Sequence, residues 1–284
     1  MRIVMGSDVS LRELIRRALD EDIGSGDLTT TAVFTGRETG VAQAVSKGDI
    51  IVAGIDVFRE VFYVLDPSLE FEVYFPDGRA AGKGDLLACI SGSLKSILMA
   101  ERVALNFFQR MCGIATITHR YVEEIHGTGV RILDTRKTTP TLRSLEKYAV
   151  KAGGGTNHRF GLYDGVMIKD NHISAAGSIS NAVRKVTGTI PPEIKIEVET
   201  KNLQEVAEAL AAQADIIMLD NMGIDEMKEA VSLIGGKALV EASGNVTLSN
   251  VREIAQTGVD CISVGALTHS APAADISLVF KNKE

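Results

Sequence analysis

From Gly129 onward the chain alternates short apolar runs with amphipathic stretches. The apolar runs are VRILD (130–134), GVMIK (165–169), EIKIEVE (193–199), DIIMLD (215–220), KALVEAS (237–243) and CISVGA (261–266). Between them, helical periodicity runs over 141–153, near 175–187, and over 202–212, 224–234 and 247–257. Parallel strands need a crossover connection, and a helix supplies it, so this alternation predicts parallel βα units. Six strands are too few for an eight-stranded barrel. The pattern alone leaves two architectures open: a six- or seven-stranded relative of that barrel, or an open doubly wound sheet.

The first part of the chain reads differently. Ser10 is placed to cap a helix, with Glu13 as its capping-box partner, and Leu11, Leu14, Ile15, Ala18 and Leu19 share one face. GSGDLTT follows as a polar loop. Short strands are expected at VAQAVS, DIIVAG, LEFEVYF and DLLACISG, with a helix at 55–65 and a turn at Pro76-Asp77-Gly78. A long helix begins near Ser93, with Ile97, Ala100, Ala104 and Phe108 on its apolar stripe. Gly113 is expected to punctuate it before a second helix runs to His126.

Composition excludes several classes. A net charge of −7 and the lack of Trp argue against a nucleic-acid binder, which needs a basic surface and stacking platforms. Cys89, Cys112 and Cys261 form no CxxC pair and are expected to be buried and reduced. The N-terminal segment turns charged within a dozen residues and lacks the apolar core of a signal peptide, so a cytoplasmic protein is expected.

Polar residues or glycine sit directly after the predicted strands: Asp134-Thr135-Arg136-Lys137, Lys169, Glu199, Asp220, Ser243-Gly244-Asn245 and Gly265. In parallel α/β folds ligands bind at these strand ends. Residues 131–172 hold eight Lys or Arg against four acids, within an acidic chain, which points to a multiply anionic small ligand. Arg143, Lys147 and Lys151 have the spacing of a solvated helix face. Arg136, Lys137, Arg159 and Lys169 fall at strand ends or in the glycine-rich AGGGTNHRFGLYDG (152–165), where Arg grips carboxylate or phosphate. Glu199 and Asp220 suit ribose hydroxyls or a magnesium ion. The small residues of SGN and VGA suit a phosphate.

DTRKTTPTLRSLEKYAVKAGGGTNHRFGLYDGVMIKDNHI resembles the central signature of quinolinate phosphoribosyltransferases, and so do EDIGSGDLTT, ERVALNFFQRMCGIAT, IEVET, DIIMLDNM, VEASGNV and ISVGALTHS. The resemblance covers about residues 20–275. It implies an α/β fold with an N-terminal open α/β sandwich (1–112, rejoined by 272–284) and a C-terminal incomplete TIM-like α/β barrel (113–271). It implies transfer of phosphoribose from phosphoribosyl pyrophosphate to quinolinate with loss of CO2, with Mg2+, in a homodimer or an assembly of dimers. By motif, Arg136, His158, Arg159 and Lys169 then surround the quinolinate carboxylates, with Arg102 reaching in from a neighbouring subunit, and Thr135 is a further substrate-binding residue. Lys137 lies between the substrates, and Glu199 and Asp220 meet the ribose, directly or through magnesium. Ser243, Gly244, Asn245, Val264, Gly265, Ala266 and His269 form the 5′-phosphate end. Three rivals are a molybdenum-transport-associated paralogue of the same fold, a Schiff-base aldolase using Lys169 or Lys137, and a non-catalytic phosphate-binding module.

Overall fold

The structure is a computed structural model that describes residues 10–281. Part of the N-terminal stretch considered above for targeting, and the last three residues of 272–284, lie outside the described residues. The chain divides into two compact units. One runs to His119 and includes Thr139–Gly154 and the chain from Ser270; the other holds Arg120–Thr138 and Gly155–His269.

The first unit begins with α1 (Leu11–Ile23), α2 (Leu28–Val33), β1 (Thr39–Ser46), β2 (Ile50–Ile51), α3 (Ile55–Leu65), β3 (Glu70–Val73), β4 (Ala80–Ala81), β5 (Leu86–Ser93) and α4 (Leu94–Glu124) as far as His119. The chain's last strand, β12 (Ile276–Phe280), completes an antiparallel sheet in the order β12-β1-β5-β3. Residues along β1 alternate in burial, as a sheet with one covered face requires. Phe58 and Phe62 of α3 pack with each other and with Phe71, and Phe58 also stacks on Phe108 of α4, with ring centroids 4.9–6.2 Å apart.

Local chemistry refines the expectations at several points. The Ser10 hydroxyl accepts the Glu13 N–H, but the Glu13 carboxylate turns to Arg16 and Arg17 rather than back to the cap. Part of GSGDLTT is helical, because Asp27 caps α2 by accepting the Thr30 N–H. Cys112 and Cys261 are buried and Cys89 is half-buried, and all three are free.

Gly113 does not interrupt α4, which is continuous over 31 residues. A Cβ there would lie 2.0 Å from the Pro272 carbonyl oxygen, so glycine is present for close backbone approach rather than as a helix stop. No helix among the described residues is long and apolar enough to cross a membrane. Helix α5 (Arg143–Ala152) packs within this first unit. Its Glu146 pairs with Arg110 of α4 at 2.9 Å, and the Tyr148 hydroxyl donates to Asp77. Being covered on more than one side, α5 buries Lys147, which corrects the expectation of a solvated face there; Lys151 is exposed.

The second unit holds β6 (Arg131–Leu133), β7 (Val166–Ile168), β8 (Ile196–Thr200), β9 (Ile216–Asp220), β10 (Leu239–Ser243) and β11 (Cys261–Ser263). Between them come α6 (Asp170–Ala176), α7 (Ile179–Thr187), α8 (Leu203–Ala211), α9 (Ile224–Ile234) and α10 (Val251–Ala255), with α11 (Ala266–His269) after β11. All six strands are parallel, in the order β6-β11-β10-β9-β8-β7. Strands β7 to β11 follow one another in sequence, and the first strand, β6, lies beside the last. A doubly wound sheet reverses direction at a switch point, whereas a barrel winds one way until its ends approach. The order is that of a barrel with its seam between β6 and β7. The parallel bridge of Leu133 with Thr156 adds a fragment of pairing on the seam side of β6.

Gly113→Ala tests the close approach in α4. An Ala for Gly exchange inside a helix ordinarily stabilises by about 0.5–1 kcal/mol. Here the clash with Pro272 is expected to reverse the sign, with a loss of about 1–3 kcal/mol by urea denaturation. A more stable variant would contradict the packing described.

Candidate active site

Parallel strands that wind one way present all their C-terminal ends on one rim, and that rim opens into a cavity of about 360 Å³. Thr135, Arg136 and Lys137 line it from the end of β6, Lys169 from β7, Glu199 from β8, Asp220 from β9 and Ser243 from β10. His158 and Arg159 join them from the loop between β6 and β7.

Asp134 fixes that loop. It is fully buried at the end of β6, where it accepts the His158 N–H (2.9 Å) and the side-chain amide of Asn157. The Arg159 side chain donates from Nη1 to the Gly165 carbonyl (2.8 Å). Burial, followed by the nearby Arg136 charge, lowers the Arg159 pKa from its ordinary value, so an incoming anion would relieve both costs. Across the rim Lys169 is ion-paired with Glu199, and its N–H donates to His172 Nδ1 (3.0 Å) at the start of α6.

The late strand ends form a second, tightly built region. Asn221, after β9, and Asn245, after β10, both have positive φ, and Asn245 Nδ2 donates to Asn221 Oδ1 (3.0 Å). Gly244 between them has φ +93°, and a Cβ there would fall 2.2 Å from Asn221 Oδ1. Only glycine satisfies both the left-handed backbone and this contact. Lys137 and His269 both reach Gly265, 3.1 Å from where a Cβ would stand, and Thr268 Oγ1 donates to the Lys137 carbonyl (2.8 Å). The cation after β6 and the turn after β11 are thereby held together.

Gly244, Asn245, Val264, Gly265, Ala266 and His269 do not line the cavity, although they adjoin residues that do. Arg102 is exposed on α4 in the first unit and is not part of the lining.

Five inward residues escaped the sequence reading: Met167, Glu197, Met218, Glu241 and Ser263. Each lies two positions before a strand-end residue already singled out, namely Lys169, Glu199, Asp220, Ser243 and Gly265. The two-residue period of a strand puts such pairs on the same face, so a deeper layer was legible beneath the rim. In that layer His158 Nε2 faces Glu197 Oε2 at 3.1 Å and Glu241 Oε2 at 3.5 Å. Burial alone would lower the His158 pKa, but hydrogen bonds and charge from the two carboxylates oppose that and push it up. Burial pushes the Glu197 carboxyl up. The ring's other nitrogen, Nδ1, accepts the Arg159 N–H at 2.7 Å. A doubly protonated ring would turn an N–H toward that donor, so the geometry favours one ring proton, at Nε2, facing the acids.

The chain matches the family model for the N-terminal domain of quinolinate phosphoribosyl transferase over residues 27–112 and that for the C-terminal domain over 114–279. It is 48% identical over 267 residues to a Synechocystis protein named "Probable nicotinate-nucleotide pyrophosphorylase (carboxylating)", covering 93% of this chain and 90% of that one. It is 46% identical to a mitochondrial quinolinate phosphoribosyltransferase (decarboxylating) of Nicotiana tabacum, covering 94% and 81%. The crystal structure of NadC from Streptococcus pyogenes superposes with a TM-score of 0.92 at 40% identity, covering 98% and 100%. The chain belongs to the quinolinate phosphoribosyl transferase family.

Proposed function

We propose that the protein transfers the phosphoribosyl group of phosphoribosyl pyrophosphate to quinolinate, releasing pyrophosphate and CO2 and leaving nicotinate mononucleotide. The observation that carries this reading is the division of one rim into a cationic side, Arg136, Lys137, Arg159 and Lys169, and a carboxylate side, Glu199 and Asp220. A Schiff-base nucleophile needs a desolvated, neutral amine. Lys169 is ion-paired and its side chain is 44% exposed, and Lys137 is exposed, so neither suits that role.

The reaction needs no protein nucleophile. The pyridine nitrogen of quinolinate forms the new bond to ribose C1 as the bond from C1 to pyrophosphate breaks. Positive charge develops on the ribose, where Glu199 and Asp220 can stabilise it. The ring is then a pyridinium, which accepts the electron pair left when the adjacent carboxylate departs as CO2, and a proton takes that position. Arg136, Arg159 and Lys169 hold the dicarboxylate so that its nitrogen meets C1, which makes positioning the main contribution. Lys137, held beside the last strand's turn, faces the pyrophosphate. Ser243, Gly244 and Asn245, with Gly265 and His269, are assigned to the 5′-phosphate end.

The donor set fits magnesium, because Glu199 and Asp220 offer hard carboxylate oxygens on adjacent strands. Magnesium bound there would supply positive charge beside the pyrophosphate and ribose hydroxyls. A homodimer is assigned, with Arg102 contributed to the partner's site. Leu28 and Val33 of α2, and Leu162 and Tyr163 in the second unit, are 65–86% exposed, which supports burial in an assembly.

Incubation with quinolinate, phosphoribosyl pyrophosphate and magnesium is expected to yield nicotinate mononucleotide and CO2 in equal amounts. Nicotinate lacks one carboxylate and leaves cations unpaired, so its kcat/KM should be lower by about a hundredfold or more. Comparable values for the two acids would contradict the reading. Ser243→Ala should weaken phosphoribosyl pyrophosphate binding by about 1–3 kcal/mol while leaving quinolinate affinity nearly unchanged; equal losses would remove Ser243 from the phosphate end. Arg102→Ala and Lys169→Ala homodimers should each be nearly inactive. Equal mixtures, after subunit exchange, should regain about one quarter of native activity, because about half the dimers are hybrids with one intact site of two. Verified exchange without recovery would contradict the shared site.

A further inference from the structure

Glu197 and Glu241 take no part in the chemistry above, yet they are two buried carboxylates aimed at one atom. They come from β8 and β10, in the layer beneath Glu199 and Ser243, and are 2% and 1% exposed. Both reach His158 Nε2, at 3.1 and 3.5 Å, and the Oε1 atom of each has no hydrogen-bond partner. Burial of this kind is costly, and apolar side chains of similar volume commonly replace buried ion pairs without loss of stability. Holding the fold together therefore does not account for them.

The imidazole connects these acids to the substrate cavity. Its Nδ1 accepts the Arg159 N–H at 2.7 Å, while the His158 N–H is held by Asp134 at 2.9 Å. The Arg159 guanidinium extends to the Gly165 carbonyl at 2.8 Å and lines the cavity. Nδ1 can accept only while the ring proton stays on Nε2, and two converging carboxylates favour that tautomer. A ring flipped about its axis would point an N–H or a carbon at the Arg159 amide and displace the start of that residue.

We propose that Glu197 and Glu241 are positioning residues for quinolinate recognition: they hold the His158 Nε2–H, which keeps Nδ1 on the Arg159 amide and sets where the Arg159 guanidinium meets the substrate carboxylates. The proposal rests on the quinolinate reading, which turnover by the native protein tests separately.

Steady-state kinetics of Glu241→Leu and Glu241→Gln is the first test. In Glu241→Leu the KM for quinolinate is expected to rise tenfold or more, with the KM for phosphoribosyl pyrophosphate within twofold and Tm not lowered. Glu241→Gln keeps an acceptor for Nε2–H and should recover part of the loss. Equal rises in both KM values, or an unchanged quinolinate KM, would overturn the proposal. The second test uses the native protein and so does not depend on any variant folding. 15N NMR of the His158 ring, assigned by difference from His158→Asn, should show an unprotonated Nδ1 and a protonated Nε2. A protonated Nδ1 would overturn the proposal.

Discussion

The site depends on one buried carboxylate. Asp134 stands where β6 ends and accepts from both the backbone of His158 and the side chain of Asn157, more than twenty residues further on. Two segments that bear cations, 135–137 and 158–159, are thereby tied to the same strand end. Beside it, the bridge of Leu133 with Thr156 continues the pairing of β6 into the loop. The seam of the incomplete barrel is therefore part of the site: a further strand in that gap would take the place of the loop that carries His158 and Arg159.

Electrostatics builds outward from this brace. The chain is acidic overall, but positive charge is concentrated where Arg136, Lys137, Arg159 and Lys169 converge on the rim. Arg159 is partly desolvated beside Arg136, which would be unfavourable if anions never entered. Beneath, Glu197 and Glu241 partly balance this charge through His158, and on the rim Glu199 balances Lys169. The charges of the pocket are therefore held in pairs that a dianionic ligand can rearrange, rather than as cations left to repel one another. At the other side of the rim the backbone is specialised: Asn221, Gly244 and Asn245 all take left-handed conformations in adjoining turns.

Much of this was legible from residue patterns. All six barrel strands were visible because each is a compact apolar run followed by a helical period, and their ends marked the rim. What remained hidden followed from tertiary packing. Gly113 looks like a helix stop until Pro272 is found against it, a contact between residues 159 positions apart. Lys147 looks exposed by periodicity, but α5 is covered on more than one side. The choice between barrel and doubly wound sheet depended on whether β6 pairs with β11, which local sequence does not specify. Glu197 and Glu241 lie inside apolar strands and carry no motif of their own. Only the two-residue step to Glu199 and Ser243 marked them as inward-facing, and only the fold brought His158 between them.

We propose that the strand-end cations, aligned by the Asp134 brace, receive the two carboxylates of quinolinate. A crystal structure of the protein with quinolinate bound tests it most directly. The ligand is expected in the cavity at the C-terminal ends of the six parallel strands, with its carboxylates within hydrogen-bond distance of the Arg136, Arg159 and Lys169 side chains, and with Asp134 still holding His158 and Asn157. Quinolinate bound away from this rim, or in the rim with its carboxylates turned from those three cations, would contradict it.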